Sequence, residues 1–149
     1  MSPEGPPAGA SGWEPYGIGR GKTADLEPGT YHFTFVRNSW DRAVSCWAMM
    51  TNRRKGLYPW LKDMFEYNPD DIHIATQLRT LDPMPDFVGR FENIKSDWQV
   101  VRFNTGLPNL SPRNQSRRKP DYRPYYNELA RDMVAEFYKD EIEFFGFKF

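Results

Sequence analysis

The residues Tyr31 to Val36 read YHFTFV, a compact β-prone run bounded by Gly29 and Asn38. A run this short between turn-forming residues predicts a buried strand. Directly after it, Trp40, Ala43, Val44, Trp47 and Ala48 recur at helical spacing and make one apolar stripe, with Asn38 placed as the N-cap. Arg53, Arg54 and Lys55, followed by Gly56, are expected to close that helix and to complement the negative end of its dipole. A second, short helix is predicted around Leu57 to Phe65, with Pro59 near its first turn. From Tyr67 to Pro85 the prolines and Asp70-Asp71 predict mostly loop, with Ile72, Ile74 and Leu78 marking at most a short strand.

Phe87 to Phe91 (FVGRF) predicts a second buried strand, and Ile94, Trp98 and Val101 give the helix after it an apolar face. A basic loop, PRNQSRRKPDYRP, spans 112 to 124. The final helix is expected to start at Asn127 as N-cap and to end near Gly146. Along it, Leu129, Ala130, Met133, Val134 and Phe137 are expected to face the core, while Glu128, Asp132, Glu136 and Asp140 form an acidic outer stripe. Strand, turn and helix in repeated succession imply an α/β fold in which helices flank a parallel sheet. Ligands in such folds sit at the carboxyl ends of the strands.

Composition narrows the function classes. The chain has 149 residues, one domain's worth, enough to bury about two-thirds of its unfolded surface. Residues 1–28 read as a flexible Pro/Gly-rich segment and 29–149 as the folded domain. Twenty basic residues balance twenty acidic ones, which argues against a general nucleic-acid or membrane-surface binder. The lone Cys46 forms no internal disulfide, and with His32 and His73 as the only histidines no metal site is expected. No apolar run approaches the roughly 18 residues of a membrane helix, and MSPEGPPAGASG lacks the regions of a signal peptide. A cytoplasmic, reducing location is the resulting expectation.

The strand-end rule directs attention to VRNSWDRAVS. Arg37 stands where the first strand ends, beside the positive end of the next helix, and Ser45 lies further along that helix on the face of Asp41. Two readings share these residues. A guanidinium can hold a phosphate by paired hydrogen bonds while a serine hydroxyl adds another. Equally, Arg37 can pair with Asp41 and do no more than stabilise the helix.

FTFVRNSWDRAVSCW resembles the 3′-phosphate-binding segment of the carbohydrate sulfotransferases, usually VRNPWDR with a serine one or two turns later. DFVGRFENIKSDW, from Asp86 to Trp98, is similar to the family's DFVGRFENL stretch, and NQSRRKPDYRPYYNELARDMVAEFYKDEIEFFGF resembles its C-terminal segment. The matching blocks keep their order and approximate spacing over residues 31 to 149. The resemblance implies a P-loop-like α/β fold that binds 3′-phosphoadenosine 5′-phosphosulfate (PAPS) and transfers its sulfuryl group to a hydroxyl, most often of a sugar. It implies that Arg37 and Ser45 hold the 3′-phosphate, that Asn38 caps the helix beneath, and that Arg117, Arg118 and Lys119 lie on the cofactor side, where the other reading of that run is a solvated turn. Where the family has proline after the asparagine, this chain has Ser39. Family members in animals reside in the Golgi.

The start of the chain departs from the family. Its lysine-containing 5′-phosphosulfate loop, expected well upstream of VRN, has no counterpart here. GIGRGKT at 17 to 23 invites that role, yet the Walker pattern G-x-x-x-x-G-K-[ST] needs glycine where Tyr16 stands, and Pro28 soon follows. The stretch occupies the position of the family's acceptor-side loop, and it lacks the histidine often found there as a general base; Lys22 is at best a stand-in, and His32 falls within the strand. The expectation is therefore a fold lacking the family's first βα unit, either a truncated enzyme or a divergent member without catalysis. The competing class is a non-catalytic module whose basic loop recognises an anionic glycan or protein; a nucleotide-kinase-like P-loop protein ranks below both.

Overall fold

A computed structural model of the chain describes residues 28–111 and 118–149. The expectations for residues 1–27, including GIGRGKT and Lys22, and for Arg117 fall outside the described residues. The fold is mixed α/β, with two parallel strands and five α-helices among the described residues.

Strand β1 (Phe33–Val36) leads into helix α1 (Ser39–Thr51), then α2 (Leu57–Tyr67). A 3₁₀ turn at Gln77–Leu81 follows, then β2 (Phe87–Arg90) and α3 (Ile94–Thr105). Last come α4 (Glu128–Phe137) and α5 (Lys139–Phe145). The strands pair in register Phe33–Phe87, Thr34–Val88, Phe35–Gly89 and Val36–Arg90. Because strand side chains alternate faces, β1 serves two layers. Val36 enters the core with Trp40, Ala43, Val44 and Trp47 of α1, Leu57, Trp60, Leu61 and Met64 of α2, and Ala130 and Val134 of α4. The rings of Phe33 and Phe35 instead lie against Trp98 of α3, at 5.9 and 6.1 Å.

Asn38 caps α1 as expected, its Oδ1 accepting from the N–H groups of Trp40 (3.0 Å) and Asp41 (3.3 Å). Arg53 to Lys55 do not close that helix. It ends at Thr51 with no basic residue in its last turn, and Asn52 and Arg53 turn the chain with φ of 49° and 60°. Ile72 and Ile74 form no strand. The carbonyl of Asp71 takes the N–H groups of both Ile74 (3.0 Å) and Ala75 (2.7 Å), so the backbone closes on itself as a turn, and Ile74 is buried as a plug under Tyr138.

The C-terminal helix is two helices, breaking at Tyr138, where φ and ψ are −102° and 21°. Its buried line is Ala130, Val134, Tyr138, Glu141 and Phe145. Leu129, expected in the core, is 64% exposed, because it precedes that line by one residue and so points about 100° away from it. Gly146 ends α5 at a φ of 69°, as expected of a glycine C-cap. No helix among the described residues is long and apolar enough to cross a membrane.

A candidate anion site at the end of the first strand

Arg37 is the first residue beyond β1, and its backbone is clamped before its side chain does anything. Gln77 Oε1 accepts from Arg37 N, and Gln77 Nε2 donates to Arg37 O, both at 2.8 Å. Gln77 is in turn fixed by the fully buried Glu141, whose Oε2 accepts from Gln77 N at 2.7 Å and whose Oε1 accepts from Gln77 Nε2 at 3.1 Å. Glu141 also takes the hydroxyls of Ser39 (2.7 Å) and Thr76 (3.0 Å). This single carboxylate therefore ties α5, the 3₁₀ turn, the first turn of α1 and, through Gln77, the strand end together. Ser39, where the resembling family has proline, is completely buried by this bond.

From that anchor the Arg37 guanidinium reaches back over α1. Its Nε donates to Asp41 Oδ2 at 2.7 Å and its Nη1 to Ser45 Oγ at 3.3 Å, while its Cζ lies over the Phe91 ring, 4.0 Å from the ring centre. Arg118 takes the other oxygen of that carboxylate, donating from Nη2 to Asp41 Oδ1. The Arg118 side chain is only 6% exposed, and its Nη1 also bonds the carbonyl of Lys119 at 3.1 Å. Its Nε is buried with no hydrogen-bond partner among the described residues. Lys119 itself is exposed, with its backbone N–H held by the Tyr125 hydroxyl at 2.9 Å.

The floor is aromatic. Trp40, Tyr122 and Tyr126 surround Phe149 with ring centres 5.4 to 5.8 Å apart. Tyr126 donates to Trp40 O at 2.7 Å, and burial pushes its phenol far above the usual tyrosine range, so it stays a neutral donor. Asn38 Nδ2 holds Lys148 O at 2.7 Å, and Arg90 holds Phe145 O at 2.7 Å, so the C-terminal FGF segment closes the base of the site.

The structure thus brings Arg37, Ser45 and Arg118 together around Asp41, with Lys119 next in the chain. It also realises the Arg37–Asp41 pairing that spacing allowed as the simpler reading. The helix N–H groups do not take the part expected of them, since those of Trp40 and Asp41 are already bonded to Asn38. An anion here must be held by side chains. Arg37 and Arg118 both pair with the single carboxylate of Asp41, while Glu92 stands next to them, accepting from Asn38 N at 2.5 Å. A guanidinium has five N–H donors, and Asp41 with Ser45 occupies only Nε and Nη1 of Arg37. Spare donors, a serine hydroxyl and an orphan buried Nε suit a tetrahedral oxyanion.

The roles of Asp41, Phe91 and Gln77 lie beyond what the motifs disclosed. Asp41 was legible as a helix pairing but not as a bridge to Arg118, because that contact is 77 positions distant. Among the described residues no group of three or more His, Cys, Asp or Glu is placed to hold a metal ion. Comparisons with family models, with curated proteins and with solved structures find no match.

Proposed function

We propose that this chain is a sulfotransferase-family protein, a P-loop-like α/β domain that grips the 3′-phosphate of PAPS for sulfuryl transfer to a carbohydrate hydroxyl. The observation that carries the reading is convergence. The blocks that resemble the family are far apart in sequence, yet Ser45 from the first, Phe91 from the second and Arg118 from the third all gather about Arg37 and its partner Asp41. Arg37 and Ser45 are the 3′-phosphate ligands, Arg118 supplies its orphan Nε, and exposed Lys119 adds charge at the rim. The donor set fits a phosphate dianion, which prefers planar forks with several donors to a single ammonium. When bound, PAPS supplies a sulfuryl group that leaves its bridging oxygen and bonds an acceptor oxygen as the hydroxyl proton departs.

The test is thermal unfolding with adenosine 3′,5′-bisphosphate against AMP. A ligand specific to the folded state adds about 2.7 kcal/mol at a hundredfold excess over Kd, and only the bisphosphate should approach that. Arg37→Lys should blunt the response, because an ammonium cannot form the fork. Equal shifts with both nucleotides would overturn the assignment.

One observation favours the non-catalytic reading as the alternative. The His73 ring is taken up by Asp71, Nδ1 lying 2.8 Å from Oδ1, so that imidazole is engaged outside the guanidinium cluster, while His32 is tied to Asp86 through its backbone N–H. Under that reading a sulfated oligosaccharide stabilises the chain at least as well as the bisphosphate does.

A further inference from the structure

On the side of the molecule formed by α2 and α4, Tyr58, Phe65, Leu129, Met133, Glu136 and Phe137 line an open, mainly apolar groove. Its floor is rigid, since the Phe65 and Phe137 rings stack at 3.8 Å and 4°. Its wall is Leu129, 64% exposed although Ala130 beside it is buried. A leucine held in water on a stable helix gains nothing for the fold.

The charge around the groove is one-sided. Glu128, Asp132 and Glu136 follow each other at i, i+4 along the outer edge of α4, all exposed. Like charges at that spacing destabilise a helix. The helix dipole favours Glu128 in the first turn but not Asp132 or Glu136 further along. Of these three, only Asp132 has an ion pair among the described residues, an exposed one with Arg131 at 3.3 Å. Across the groove α2 contributes the rings of Tyr58 and Phe65. An apolar channel with an acidic bank on one side matches a helix whose apolar ridge is flanked by cations.

We infer that the α2–α4 groove is a docking site for a cationic amphipathic helix of a partner protein. Leu129 and Met133 take its apolar ridge and the Glu128–Asp132–Glu136 bank takes its basic edge. Methionine in the wall suits such a role, because an unbranched thioether adapts to varied side chains.

The probe is a labelled synthetic helical peptide with leucines at i, i+3, i+4 and i+7 and flanking lysines, titrated with the full chain by fluorescence anisotropy. A counterpart has glutamate for every lysine. The lysine peptide should bind saturably and the glutamate peptide should not. Leu129→Asp, an exposed change that leaves the melting temperature near wild type, should weaken binding at least about tenfold, as loss of a central anchor does. Asp132→Lys with Glu136→Lys should weaken it several-fold and remove its salt dependence. The inference is overturned if the lysine peptide fails to bind, if both peptides bind alike, or if Leu129→Asp leaves affinity unchanged. It is also overturned if sedimentation shows the chain self-associating through this face, or if the groove takes anionic lipid vesicles in preference to the peptide.

Discussion

Arg118 and Asp41 stand 77 positions apart and meet through Nη2 and Oδ1, so that one carboxylate bridges the basic loop to the first turn of α1 and, through Oδ2, to Arg37. With side-chain exposures of 6% for Arg118 and 14% for Asp41, this is a largely desolvated pair. Removing one member of such a pair strands the other's charge. Asp41→Asn should therefore lower stability by about 2–3 kcal/mol, somewhat less than a fully buried pair would lose. The same variant leaves two guanidiniums without their anion. Adenosine 3′,5′-bisphosphate should then recover more stability in Asp41→Asn than in the wild type, measured by urea unfolding with and without the nucleotide. An unchanged unfolding midpoint would show that the bridge carries little energy.

The strand-to-helix corner was readable because its signals are local. A β-prone run, an asparagine cap and an apolar stripe each act within a few residues, and β1, Asn38 and α1 follow them. The C-terminal pattern misled because the buried line includes a polar member. With Glu141 fully buried, the line Ala130, Val134, Tyr138, Glu141, Phe145 does not read as apolar, and Leu129 looked like its start. What makes Glu141 inward-facing is its set of partners, Ser39, Thr76 and Gln77, at separations of 64 to 102 residues. No window along the chain holds both sides of such a bond. Arg37 and Ser45 were visible as a pair on one helix face, whereas Phe91 and Arg118 join them only through tertiary structure.

Glu141→Ala should be among the most damaging single changes. It removes the acceptor for two buried or half-buried hydroxyls and for the N–H and side-chain amide of Gln77. Each donor stranded without water costs about 1–3 kcal/mol, so a loss of at least about 3 kcal/mol is expected. Glu141→Gln keeps the shape but turns one oxygen into a donor facing other donors, and should fall between the alanine variant and wild type. Because Gln77 clamps both the N–H and the carbonyl of Arg37, the nucleotide response should fall along with stability. A Glu141→Ala chain that melts within a degree or two of wild type would remove Glu141 from its role as the tie between elements.

Gly89 has no room for a side chain. A Cβ built there would come 2.3 Å from Cε1 of Phe35, its register partner on β1, a ring held by edge contacts with Phe33 and Phe87. Gly89→Ala should destabilise by about 1–3 kcal/mol, as overpacking does. In a Phe35→Leu background, where the obstructing ring is gone, the cost of adding the methyl should shrink markedly. Additive losses in the double variant would mean that the clash lies elsewhere.

Cys46 makes the pH-dependent prediction. Its Sγ donates to the carbonyl of His73 at 3.0 Å, and burial pushes the thiol upward against the opposing pull of Arg42 and Arg37. In the folded chain the thiol keeps its proton at pH values where the unfolded chain, with a cysteine pKa of about 8.5, has begun to lose it. The native state then binds more protons than the unfolded state, so stability declines as pH rises above about 8.5. Replacing the group by Cys46→Ala should flatten this limb without altering the acid side. Native Cys46 should also react with a thiol-directed disulfide reagent far more slowly than the urea-unfolded chain at the same pH, because the thiolate is the nucleophile. The measurements are unfolding midpoints from neutral pH to about one unit above that pKa, before the tyrosines ionise, together with the two labelling rates. Equal rates in folded and unfolded chain, or an alkaline slope unchanged in Cys46→Ala, would refute the assignment.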